Sequence, residues 1–368
     1  MRPSDESKLA DAIRGAEGPL RVRGGGTRPV GRPVAGEVLE TGGLQGVVLY
    51  EPGALTLVVR AGTPLAEVEA ALAAEGQMLP FEPMDHRPLL GTEGAPTVGG
   101  VVAGNVSGPR RVVAGACRDS MIGVRFVDGS GTVLRNGGRV MKNVTGYDLV
   151  RLMAGAHGTL GVLSEVAFKV LPVAEAEVSL VLEAMDPGDA VAAMSAALGS
   201  PYGVSGAARE PDGRVLLRLE GLAGSVAHRA GALVEVLSRF GACGRIEKEE
   251  SRAAWVAVRD VLALAGVPGD VWRVSVKPSD APEVLARAGG EALLDWGGGL
   301  VWMTQPEGTD LRAKLEELGG HATLVRASEG TRARIAVFHP EPAPLARLAA
   351  DLRAKFDPRG VLNPGLMG

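Results

Sequence analysis

The run Gly24-Gly25-Gly26-Thr27 follows the alternating segment Leu20-Arg21-Val22-Arg23. A second glycine-rich loop, Pro96-Thr97-Val98-Gly99-Gly100, comes about seventy residues later. Glycine turns the chain through positive φ and lets backbone approach a ligand with no side chain between. Successive amides in such turns form anion-binding concavities. Two of these loops point to a large phosphate-bearing ligand, a dinucleotide, held by backbone donors. No G-x-G-x-x-G opens a strand–helix unit, so a nicotinamide-type site is not expected. A third segment, Lys142–Asp148, is polar within apolar surroundings and leads into Ala154-Gly155-Ala156-His157-Gly158-Thr159-Leu160-Gly161.

The 368 residues allow two or three domains, and 46% hydrophobic residues can bury a sizeable core. The net charge of −4 and the lack of a long basic run argue against nucleic acid as a partner. Arg110-Arg111 reads as solvated or as bound to one anion. Cys117 and Cys243 lie far apart without metal-ligand spacing, so free thiols in a reducing compartment are expected and no metal site. Two cysteines cannot supply the four thiolates of an Fe–S cluster. The polar N-terminus has no signal-peptide core, and no apolar run reaches the roughly 18–20 residues of a membrane span. A soluble, cytoplasmic chain is expected, with peripheral attachment through a membrane complex left open.

The pattern predicts a helix near 5–15 capped by Ser4 and strands at 46–50 and 55–60. It also predicts a helix over 65–75 with Thr63 as cap and Pro64 in the first turn. Residues 91–116 show neither period, and a connector that long is expected to be functional. Strands follow at 121–127, 132–135 and 163–170. Beyond Pro172 the expected helices are 187–199, 223–240, 307–318 and 343–355. The expected strands there are 177–183, 213–219, 271–276, 299–303 and 333–338.

Residues 20–172 resemble the FAD-binding domain of the vanillyl-alcohol oxidase/PCMH superfamily. The resemblance rests on Arg23–Thr27, Thr97–Gly108, Arg118-Asp119, Lys142–Asp148, Gly155–Gly161 and the strand ending at Leu171-Pro172. Phe81-Glu82-Pro83, Ser107–Arg111, the long Lys142–Leu149 stretch and Gly158–Leu163 make it closest to the family of FAD-binding subunits of bacterial glycolate oxidases. It implies an α+β fold: a PCMH-type two-subdomain FAD-binding domain over 1–174 and an α+β cap with an antiparallel sheet over 175–330. Residues 331–368 would pack back toward the FAD domain.

The resemblance further implies FAD as cofactor. The binding residues carried over are Arg23, Gly24, Gly25, Gly26, Thr27, Pro96, Thr97, Val98, Gly99, Gly100, Asn105, Gly108, Arg118, Asp119, Lys142, Asn143, Gly146, Tyr147, Asp148, Gly155, Gly158, Thr159, Gly161 and Val162. The two loops at 24–27 and 98–100 would cradle the pyrophosphate. Several relatives carry a histidine after the first glycine loop and tether the flavin through it. Thr27 stands there instead, so non-covalent FAD is expected.

Oxidation of a 2-hydroxy acid needs a cation for the carboxylate and a base for the hydroxyl. Arg273 and Lys277 are the candidate cations, placed by alternation on one face of a strand. The glycines of Trp296-Gly297-Gly298-Gly299 would let a strand approach the ring. His86 reads as a loop residue and His157 as a polar neighbour. The His-rich metal motif around Gly-Asp-Gly-Asn of catalytic relatives is absent. That favours a subunit working beside a catalytic flavoprotein and an Fe–S subunit, passing electrons from glycolate or D-lactate to quinone. A stand-alone FAD oxidoreductase for another hydroxy acid or sugar acid, and a structural subunit with a vestigial FAD domain, are the alternatives.

Overall fold

The computed structural model describes residues 1–138 and 146–368. The helix Glu6–Arg14 begins one residue later than expected for a Ser4 cap, because the Asp5 carboxylate accepts from the Lys8 amide at 2.9 Å. Its buried Leu9, Ala10 and Ile13 pack with Val127 and Val162. The helix Leu65–Ala74 lacks the expected Thr63 cap. The Thr63 hydroxyl instead accepts from the Gly46 amide at 2.9 Å.

A parallel pair, Leu20–Arg23 with Glu37–Glu40, precedes a five-stranded antiparallel sheet. The order in that sheet is Val47–Glu51, Thr56–Arg60, Val162–Lys169, Met121–Val127, Val133–Gly137. Its central strand Val162–Lys169 is almost continuously buried because both faces are covered. Val166 and Phe168 join Phe81 and Phe126 in one core, while Val162 meets the first helix on the other side.

The second sheet has eight antiparallel strands, in the order 243–247, 176–182, 215–221, 204–209, 292–295, 300–305, 270–275, 321–326. Strand alternation sends its two faces to different cores. Val178, Leu217 and Met303 face the helices Pro187–Leu198, Ala223–Leu237 and Ala281–Ala288 through Met194, Leu233 and Val284. Val181, Leu216, Val271, Leu293 and Trp302 face the other way and share one core with Phe81 and Phe168 of the first half.

Two expected elements differ. Residues 333–338 are not a strand: Ser328 caps a short helix Glu329–Arg334 by accepting from the Thr331 amide at 3.2 Å. Residues 307–318 form only the 3₁₀ turn Leu311–Lys314, anchored by the buried Leu311 and capped by Asp310. The chain ends with the helix Ala343–Phe356 and a tail that returns to the first strand. There the Leu20 amide donates to Val361 O at 2.7 Å and the Asn363 amide to Leu20 O at 3.0 Å.

Candidate FAD groove and arginine cleft

A groove of about 380 Å³ runs over the first glycine loop. Gly24–Thr27 form its floor together with Pro96, Thr97, Gly99 and Gly100, and Gly158, Gly161 and Val162 form one wall. Gly25 is forced by close packing: a Cβ there would stand 1.7 Å from Ala95 O. The amides of Gly25, Gly26, Thr27 and Arg28 have no acceptor among the described residues. Four neighbouring donors without partners at a groove floor are suited to an anion such as a pyrophosphate.

The second loop differs in this respect. Gly99 and Gly100 line the groove. However, the amides of Val98, Gly99 and Gly100 already donate to Thr63 O at 3.0 Å, Ala61 O at 2.6 Å and Thr97 Oγ1 at 3.3 Å. This loop shapes the groove rather than supplying free donors, and Val98 itself is buried core.

The other candidate residues lie away from the groove lining. The Asn105 side chain accepts from the Arg118 amide at 3.1 Å, and Asp119 accepts from the Ala116 amide at 2.9 Å. Gly108 is packed under Glu82, where a Cβ would come within 2.3 Å of Glu82 O. Asp148 caps the helix Leu149–Met153 beside Gly146, and Tyr147 is 87% exposed. The Gly155 amide donates to Val102 O at 3.0 Å, and the Thr159 hydroxyl donates to Ala156 O at 2.7 Å. Lys142 and Asn143 lie outside the described residues.

Several lining residues were not among the sequence candidates: Arg28, Arg332 and Asn363, and His86, which was read as a loop residue. Arg28 Nε donates to His86 Nε2 at 3.2 Å. Burial and the facing Arg28 push His86 well below the ordinary imidazole range, so it accepts as the neutral ring. Burial likewise pushes His157 down to about 3. Asn363 ties the wall together, accepting from the Val22 amide at 2.8 Å and donating to His157 O at 2.9 Å. One signal was available for Asn363: it sits in the run Asn363-Pro364-Gly365, a turn composition at the end of an otherwise helical tail.

Beyond the groove, the inner face of the eight-stranded sheet carries Arg273. Its guanidinium lies 5.2 Å from the Trp296 ring and 5.9 Å from the Trp302 ring. Burial, with Arg111 and Arg28 nearby, pushes it down to about 10. Lys277 does not share that face. The strand ends at Ser275, and Lys277 is an exposed residue at the start of the next turn. Gly297 and Gly298 do not carry a strand toward a ring either. Their φ values of 68° and 100°, after Trp296 at 53°, make a left-handed turn that sets the Trp296 indole across the junction. The Trp296 Nε1–H donates to Gly108 O at 3.1 Å. The neighbouring Asp295 is buried, and that burial pushes its carboxyl up to about 7.

A family model described as an FAD binding domain matches residues 1–137, which include both glycine loops. The chain is 40% identical to the glycolate oxidase subunit GlcE of Escherichia coli, over 95% of this chain and 92% of that protein, and it belongs to that family. It is 26% identical to an uncharacterized FAD-linked oxidoreductase of Mycobacterium tuberculosis, over 100% of this chain and 90% of that one. The fold is shared with 4-ethylphenol oxidase from Gulosibacter chungangensis at TM-score 0.72 and 16% identity, covering 100% of this chain and 88% of that one. No helix among the described residues is long and apolar enough to cross a membrane.

Proposed function

We propose that this chain is the FAD-binding subunit of a glycolate oxidase-type complex. In this reading a small 2-hydroxy acid, glycolate or D-lactate, is the electron donor. A catalytic flavoprotein subunit and an Fe–S subunit are the partners, with quinone as the final acceptor. The complex works at the cytoplasmic face of the membrane. The observation that carries the reading is the floor of partnerless amides, Gly25–Arg28, in a chain 40% identical to a glycolate oxidase subunit.

These residues fit FAD. The four amides would hold the pyrophosphate, with Arg28 adding a nearby positive charge. Gly158, Gly161 and Val162 would flank the flavin. Thr27 offers no imidazole for a covalent link, so FAD dissociates. Bound FAD supplies a two-electron acceptor for hydride. Residues 1–174 carry the FAD site, 175–330 cover it, and 331–368 return to close its wall. Arg273 is the cap residue assigned to the substrate carboxylate.

The test is an absorption spectrum of protein loaded with FAD and desalted, repeated after anaerobic glycolate. Retained flavin bands are expected. Bleaching by glycolate makes this chain a substrate-oxidising subunit by itself, whereas unbleached bands place oxidation on its partner. A colourless protein overturns the FAD reading.

A further inference from the structure

Arg110 and Arg111 are adjacent in sequence and differ in what they meet. Arg110 Nη1 donates to Glu220 at 2.6 Å. Arg111 has no carboxylate within ion-pair distance among the described residues, and neither does Arg273. Both residues are intermediate in exposure, although burial lowers the pKa of each guanidinium. Both lie over the same indole: Arg111 at 4.6 Å and Arg273 at 5.2 Å from the Trp296 ring. Stacking engages the face of a guanidinium and leaves its in-plane N–H donors free, in the fork that matches a carboxylate. Two like charges held this close, with a third at Arg28, repel one another until an anion arrives. Neither Arg111 nor Arg273 lines the glycine groove, so the pyrophosphate does not account for them.

We infer that Arg111 and Arg273, one from each half of the molecule, form a single carboxylate site on the Trp296 platform, and that the ligand's carboxylate bridges the two halves. This rests on the proposed 2-hydroxy-acid function and adds Arg111 as a residue of that site. Trp296, anchored to Gly108 O, is the indole that both cations lie against.

The experiment titrates the FAD-loaded protein with oxalate, a small dicarboxylate with no C–H to oxidise. Binding is followed by tryptophan emission and, separately, by perturbation of the flavin bands. Saturable binding is expected in the wild type. R111Q and R273Q should each weaken it at least tenfold, and the double variant should abolish it, with FAD retention unchanged. R111K, which keeps the charge but loses the planar fork, should fall between wild type and R111Q. Unchanged oxalate affinity in R111Q and R273Q would overturn the inference, as would no tryptophan response to oxalate in the wild type. Loss of flavin bands from the wild type would instead strike the proposed function, and the emission titration still scores the arginines. R111Q, in the four-residue helix Arg111–Ala114 and outside both sheets, keeps the test decisive should R273Q fail to fold.

Discussion

Two sets of arginines meet at the junction of the halves, and they are arranged in opposite ways. In the clamp, Arg218 is 2% exposed and forks onto Glu82 at 2.8 and 2.9 Å. Glu220 lies 3.3 Å from Arg218 and takes Arg110 at 2.6 Å. Ser205 donates to Glu220 as well, and Arg218 stacks on Trp255 at 4.6 Å. In the cleft, Arg28, Arg111 and Arg273 have no carboxylate partner among the described residues. The clamp satisfies its charges internally and joins the halves. The cleft leaves its charges open to something that comes from outside. Pairing, not residue type, separates an arginine that holds a fold together from one that waits for a ligand.

The largest expected effect comes from breaking the clamp. R218L leaves Glu82 without its cation and Glu220 with Arg110 alone, and should lower unfolding stability by about 3–5 kcal/mol in a denaturant titration. A loss under 1 kcal/mol would show that the clamp does not hold the halves. Next is the groove. G25A sets a methyl group against Ala95 O and should weaken FAD at least a hundredfold, about 2.7 kcal/mol, measured by flavin retention.

A smaller effect concerns Asp295. Its carboxyl is raised to about 7, so between about pH 4 and 7 the folded state keeps a proton that the unfolded chain has released. Stability therefore falls as pH rises through that window. Asparagine can still accept from the Trp296 amide, now made at 2.7 Å, and cannot ionise. D295N should exceed the wild type in stability at pH 8 and show no such advantage at pH 4. Parallel pH–stability curves for the two proteins would contradict this. The smallest effect is at K277A, which should leave stability within about 0.5 kcal/mol and oxalate binding unchanged. A tenfold loss of oxalate affinity there would return Lys277 to the site.

The glycine floor was legible because steric demand is written in residue type: only glycine tolerates Ala95 O at Gly25. The strands Met121–Val127 and Asp270–Ser275 were legible from apolar, β-branched runs. The arginine cleft was not, because Arg111 and Arg273 are separated by 162 positions and only tertiary packing brings them to one indole. Lys277 shares a parity with Arg273, but parity holds only while a strand continues, and this one stops at Ser275. The helix Glu329–Arg334 was missed because a Ser328 cap and a buried Thr331 outweigh the weak alternation after Arg332. The second glycine loop borders the groove, yet sequence could not reveal that Thr63, Ala61 and Thr97 had already engaged its amides.

The return of the tail to the first strand has a consequence for synthesis. Val22 and Asn363 lie 341 positions apart, yet one hydrogen-bonded side chain joins them across the groove wall. A nascent chain thus carries its glycine floor long before it has the wall that Asn363 and Leu366 complete. The groove wall therefore closes only once synthesis has passed Leu366, and a chain cut short near residue 360 lacks it.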